Sequence, residues 1–217
     1  HWETLLKKRL IELIEHEKIQ EMKDRNILLF GEKCMKYIAH REEDREQLLL
    51  DHLTGTAEKA KEFAEVFGKG EWGYCCGMLH DLGKYSDKFQ RRIHGEDIKV
   101  DHATAGARVC LELGGMYPFM EYCIAGHHAG LPDAGGKSDA VNSPTLNGRR
   151  KKKIEDFQAY KKEICIPELK TVPIDINKTT NAEFSLGMFM RMLYSCLVDA
   201  DFLDTEEFMV NGNTGRQ

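Results

Sequence analysis

Apolar positions recur along the chain at helical spacing, broken by short polar or glycine-containing stretches. Leu5, Leu6, Ile11, Ile14, Ile19 and Met22, set among many charges, predict an amphipathic, solvent-facing helix over 1–29. Gly31 breaks that pattern. Met35 to Ala39 is a short apolar stretch ending at His40, with Met35 as an alternative start, and Arg41 to Gln47 is polar. Leu48 to Phe67 predicts a helix with Leu49, Leu53, Ala57, Ala60, Ala64 and Phe67 on one face and His52 at its edge. Gly68 and Gly70 end it.

Trp72 to His80 predicts a buried helix that runs out at His80-Asp81, where Gly83 offers a left-handed turn. Ser86 to Ile93 is a further short helix with Ser86 as N-cap. Asp101 can cap a helix beginning at His102, which Gly114-Gly115 closes. Tyr117 to Ala125 is apolar and helical, and the turn after it holds His127-His128. Residues 134–150, rich in Gly, Ser, Asn and Asp, predict an exposed loop. Pro167 and Pro173 frame an irregular linker, and Ala182 to Phe202 predicts a long apolar helix. With five prolines and few β-branched runs, the pattern gives an all-α fold.

Composition narrows this only a little. The chain has 217 residues, enough for one sizeable core, and its net charge of -5 gives no global attraction to nucleic acid. Binding a polyanion would need a local basic patch or a metal. Seven cysteines include no C-x-x-C pair, so reduced thiols in a cytoplasmic protein are expected. No apolar run is long enough to span a membrane.

The chemistry lies in the spacing of His and Asp. His52, His80, Asp81, His102 and His127-His128 precede Asp199 and Asp201 in the last helix. Each gap is about one helix plus a connection, so the side chains would converge from different helices on one pocket of a bundle. Imidazole and carboxylate together suit Mn, Fe, Co, Ni or Zn. The number of ligands exceeds what one tetrahedral ion uses, which points to two ions. Asp81, with two carboxylate oxygens, suits a bridge between them. Asp199 and Asp201 stand about 200° apart on a helix, so they cannot share one role, and one carboxylate of the pair would join the set. His1, His16 and His94 fall outside the set.

The strings "AHREED…LLLDHL", "GMLHDLGKYSDKFQRRI", "DHATAGARV", "IAGHHAGLPD" and "YSCLVDADFLDTE" resemble the HD nuclease domain of the type I CRISPR interference helicase–nuclease. That domain belongs to the HD superfamily of metal-dependent phosphohydrolases. The resemblance covers about residues 35–210. It leaves 1–34 as a helical leader of unknown role and 211–217 as a tail or the start of a linker to a helicase. It implies an HD-type helical bundle with a central metal site that cuts single-stranded DNA in CRISPR antiviral defence. The ions implied are two divalent transition metals (Mn, Fe, Co or Ni, with Mg possible). The implied partners are the CRISPR surveillance complex and a helicase, fused or separate.

The resemblance carries the metal roles onto His52, His80, Asp81, His102, His127, His128 and Asp201, with Asp199 the alternative last ligand; His52, His80 and Asp201 would then complete one ion, and His102, His127 and His128 the other. Lys84 is expected to neutralise charge developing on the phosphate. Ser86 and Gln90 are expected to contact the DNA backbone, and Arg91, Arg92 and the run Arg149 to Lys153 to hold the strand. A solvated surface is the alternative for these cations. Two other functions share the same residues: a phosphohydrolase acting on a nucleotide or cyclic dinucleotide, and a docking module in which metal serves the fold only.

Overall fold

The computed structural model describes residues 36–141 and 143–210. The helix expected over 1–29, the leader over 1–34 and the tail over 211–217 lie outside the described residues. The described chain opens with an antiparallel hairpin, β1 (Ile38–Glu42) and β2 (Arg45–Leu48), whose register pairs His40 with Gln47. The polar run Arg41 to Gln47 gives no strand pattern, so periodicity alone did not reveal the hairpin. Its turn residue Glu43 takes φ +52. Contacts far along the chain hold it: Arg45 donates to the carbonyls of Phe208 (2.9 Å) and Met209 (3.1 Å).

Seven helices follow among the described residues: α1 (Leu49–Glu65), α2 (Gly70–Leu79), α3 (Asp87–Ile93), α4 (Ala103–Leu113), α5 (Pro118–Gly126), α6 (Leu146–Arg150) and α7 (Ala182–Met209). The molecule is thus mostly helical, as an HD-type bundle requires. None of these helices is long and apolar enough to cross a membrane. The predicted caps at Ser86 and Asp101 form: Ser86 Oγ accepts from Phe89 N, and Asp101 Oδ1 accepts from Thr104 N. Gly68 leaves α1 at φ +69, the left-handed exit expected of it.

Helix α2 is the centre of the bundle. Trp72, Cys75, Cys76, Met78 and Leu79 are all buried, and only Glu71 and Tyr74 are partly exposed. It lies against α1 along a seam of small residues: Ala57, Ala60 and Ala64 on α1, Gly73 and Gly77 on α2. A Cβ on Gly77 would stand 2.5 Å from Ala57 Cα. Helix α4 approaches as tightly, since a Cβ on Gly106 would strike the Leu79 carbonyl. Helix α7, about 42 Å long at 1.5 Å per residue, packs against α1, α2 and α5.

Three expectations change. Gly83 makes no left-handed turn; it sits in a 3₁₀ turn, Leu82–Tyr85, with its α-carbon against the His102 backbone. Its lack of a side chain serves close approach. The loop expected over 134–150 ends in α6, because Leu146 is buried and Thr145 Oγ1 caps Gly148 N. Helix α7 runs past Phe202 to Met209, because Asp204 packs back onto α1.

Gly106→Ala is therefore expected to lower stability by about 1–3 kcal/mol through overpacking. Thermal unfolding followed by the helical circular-dichroism signal checks it.

Candidate metal centre

The seven side chains meet where α1, the α2 C-terminus, the α4 N-terminus, the α5 C-terminus and α7 converge. His52 lies on α1 and Asp201 on α7. His80 and Asp81 directly follow α2, His102 directly precedes α4, and His127-His128 directly follow α5. They form two groups sharing Asp81: His52, His80, Asp81 and Asp201, and Asp81, His102, His127 and His128. Within each group, one ligand atom per residue lies within 4.8 Å of all the others. Asp199 is exposed and belongs to neither group, so of the two final aspartates only Asp201 enters the site.

The two carboxylate oxygens of Asp81 face different groups. Oδ2 lies 3.5 Å from His52 Nε2 and 3.4 Å from His80 Nε2. Oδ1 lies 3.5 Å from His102 Nε2 and 3.4 Å from His127 Nε2. Asp201 Oδ1 stands 3.3 Å from His52 Nε2 and 3.6 Å from His80 Nε2. Ligands about 2.1 Å from a common ion stand about 3.0–3.4 Å apart, so these separations fit a shared cation better than direct hydrogen bonds.

The unsatisfied atoms fit the same cation. Nε2 of His52, His80 and His127 and Oδ1 of Asp81 are buried without a hydrogen-bond partner, an arrangement that is expensive unless something binds there. The other nitrogen of each ring is already engaged. Nδ1–H donates to Asp204 Oδ2 from His52 (2.8 Å), to Gly77 O from His80 (2.6 Å) and to Ile124 O from His127 (2.7 Å). These bonds set the tautomers and aim Nε2 inward. His102 and His128 bring their Nε2 atoms within 2.7 Å of each other, so one of the two carries a proton that a cation would replace.

Electrostatics separate the groups. Burial opposes ionisation of Asp81, but the charges of Lys84, His80 and His102 hold its carboxyl well below the usual range. Burial also opposes charge on His80, yet Asp81 and Asp201 raise its pKa to about 10, and carboxylates raise His52 likewise. His102 is lowered to about 4 by burial and by the positive charge of Lys84 and neighbouring histidines. His128 is lowered as well, burial being the larger cause.

The remaining predicted residues have other occupations. Lys84 is buried, pairs its charge with Asp81 Oδ2 (2.7 Å) and donates to His40 Nε2 (3.1 Å) and Ala39 O (3.3 Å). In this arrangement it steadies Asp81. Ser86 is buried, with Oγ donating to Gly83 O and capping α3, so it is not open to a DNA backbone. Gln90 bonds to both Ile38 N and O and to Lys84 O, which ties α3 to β1. Arg91 is held bidentately by Glu96. In the Arg149 to Lys153 run, Arg150 grips the buried Glu121, Lys151 the carbonyls of Lys137 and Asp139, and Lys152 Asp101.

The family model described as HD domain matches residues 49–170, more than half of the 217-residue chain. The chain belongs to the HD domain family. Comparison with the curated proteins finds no match. HD domains are generally metal-dependent phosphohydrolases, and the two His/Asp groups support binding of divalent metal here. The matched span holds His52, His80, Asp81, His102, His127 and His128. Asp201 lies beyond it and arrives through α7.

Two residues of the site escaped the sequence reading. Asp204, one turn after Asp201, is buried against Gly55 and accepts from His52, Gln47 and Lys59. His40 donates Nδ1–H to Gln47 Oε1 and accepts from Lys84. Burial and the charge of Lys84 keep it neutral, its pKa lowered to about 4. A chain of hydrogen bonds thus runs from Asp204 through Gln47 and His40 to Lys84 and on to Asp81. The spacing of Asp204 three residues after Asp201 was the one available signal.

Asp204→Ala is expected to weaken Mn²⁺ binding about 10- to 100-fold, as loss of an orienting partner does, with the helical circular dichroism unchanged. Titration calorimetry checks it. Because His80, its pKa raised to about 10, must lose a proton to bind metal, affinity in that group should rise with pH, about tenfold per pH unit for the proton displaced. Calorimetry in two buffers of different ionisation enthalpy should then report proton release.

Proposed function

We propose that the protein is a metal-dependent nuclease hydrolysing phosphodiester bonds of single-stranded DNA, acting in CRISPR antiviral defence. The observation that carries this reading beyond the family's general chemistry is the way the site meets solvent. His52, His80, Asp81 and His127 are buried. His102 and His128 line a cleft of about 530 Å³ together with His40, Arg41, Lys84 and Arg92. Arg41 and Arg92 are exposed in that lining against one acidic residue, Glu43, and Phe89, its one Phe, Tyr or Trp side chain, is only 5% exposed. A site with cationic walls suits a polyanionic backbone running past it.

When bound, divalent ions supply Lewis acidity, acidifying water toward neutrality and drawing charge from the scissile phosphate. The residues that would hold them are His52, His80, Asp81 and Asp201 on one side and Asp81, His102, His127 and His128 on the other. Their imidazole and carboxylate chemistry suits Mn, Fe, Co or Ni. Lys84 holds Asp81 ionised and fixed. His40, kept neutral, accepts from Lys84 and so keeps that ammonium turned toward Asp81. The proposed setting is cytoplasmic, beside a CRISPR surveillance complex and a helicase, fused or separate. A nucleotide hydrolase is the second reading, favoured by a cleft volume within the range of small-molecule sites, about 300–1,000 Å³.

The test is Mn²⁺-dependent cleavage of circular single-stranded DNA beside a panel of nucleotides and cyclic dinucleotides. Replacing His80 and Asp81 together with alanine should remove both bound metal and cutting. Retention of both activities by that variant would sink the proposal. Turnover of nucleotides with intact DNA would favour the second reading.

A further inference from the structure

We infer that Arg41 and Arg92, which line the cleft together with His102 and His128, are the side chains that grip the phosphodiester backbone of the substrate. The inference rests on the nuclease reading and names the substrate contacts of that same site.

The argument starts from access. Asp81 and the rings of His52, His80 and His127 are enclosed, whereas His128 is exposed and His102 is 13% exposed. A ligand reaching the centre through the cleft therefore meets His102 and His128 first. The cations near this route are not equivalent. Lys84 is buried, has its charge matched by Asp81 and donates to Ala39 O and His40 Nε2. Arg91 has its charge matched by Glu96 and is absent from the cleft lining. Arg150, Lys151 and Lys152 are bonded within the fold, and none of them lines the cleft.

Arg41 and Arg92 differ from all of these. Both are exposed and both line the cleft. Arg41 has only a loose ion pair, 3.8 Å from Glu46, with both side chains 40% exposed. The side chain of Arg92 makes no ion pair or hydrogen bond among the described residues. Glu43 is the acidic residue of the lining, so cations outnumber it.

The two arginines stand on separate elements, β1 and α3, joined by Gln90. Its amide accepts from Ile38 N (2.9 Å) and donates to Ile38 O (3.1 Å). The residue expected to touch DNA thus ties together the two elements that carry these arginines. Guanidinium forks match phosphate oxygens in pairs and carry charge into a desolvated contact better than ammonium does. Two such forks from separate elements of one cleft suit an anion that repeats along a chain.

The test uses the full chain and oligo(dT) carrying a fluorophore. Binding is read by anisotropy in EDTA across a salt series, and cleavage under Mn²⁺ gives kcat and KM. The R41Q/R92Q double variant should bind about tenfold more weakly, with the log–log salt slope shallower by about one to two. Its KM should rise while kcat stays near wild type, and R91Q should behave as wild type. Unchanged affinity and KM in R41Q/R92Q, or equal weakening in R91Q, would overturn the assignment. Wild-type protein that binds oligo(dT) through these arginines yet cuts no DNA would overturn the nuclease reading and leave the groove standing. Wild-type protein with no affinity for oligo(dT) would overturn the groove.

Discussion

A carboxylate buried at the middle of five converging elements must be compensated, and the fold is arranged around that need. Asp81 is 1% exposed. Leaving such a charge unpaired would cost several kcal/mol. Lys84 sits three residues on, at 2.7 Å, and four histidine Nε2 atoms surround the two oxygens at 3.4–3.5 Å. One cation of the protein cannot satisfy all of these groups. The atoms still lacking hydrogen bonds describe the vicinity of a further positive charge, and the Nδ1 bonds of three histidines keep it from being satisfied internally.

Holding these groups together depends on residues that carry no chemistry. Alanines on α1 and glycines on α2 let the two backbones approach closely. Gly106 does the same for α4 against the end of α2, and Gly83 brings the Asp81 turn onto the His102 backbone. Close-packed interiors tolerate little added volume at such points. The metal centre and the seam are therefore one construction: widening a contact between helices would move the histidine at its end.

The hairpin serves the same end from outside. Arg45 secures the last turn of α7, which carries Asp201 and Asp204, while Gln47 and His40 link Asp204 to Lys84. Both ends of the Asp81 arrangement are thereby tied to one short element. Its outer face, with Arg41 and the turn at Glu43, becomes one wall of the cleft. Structural support and substrate access thus meet in the same few residues.

The helical periodicity, the exit at Gly68, the caps at Ser86 and Asp101 and the spacing of His and Asp were legible in the chain. Each depends on local geometry or on residue chemistry, which a sequence states directly. That was enough for a mostly helical HD domain with candidate metal ligands. Tertiary structure alone decided the hairpin, the choice of Asp201 over Asp199, the division of the ligands about Asp81, and the structural duties of Ser86, Gln90 and Arg91. It also supplied Asp204, which meets His52 across 152 residues and Gln47 across 157. The physical reason is that a period tells which face of an element a side chain occupies, whereas the partner it meets there is fixed only when distant elements pack.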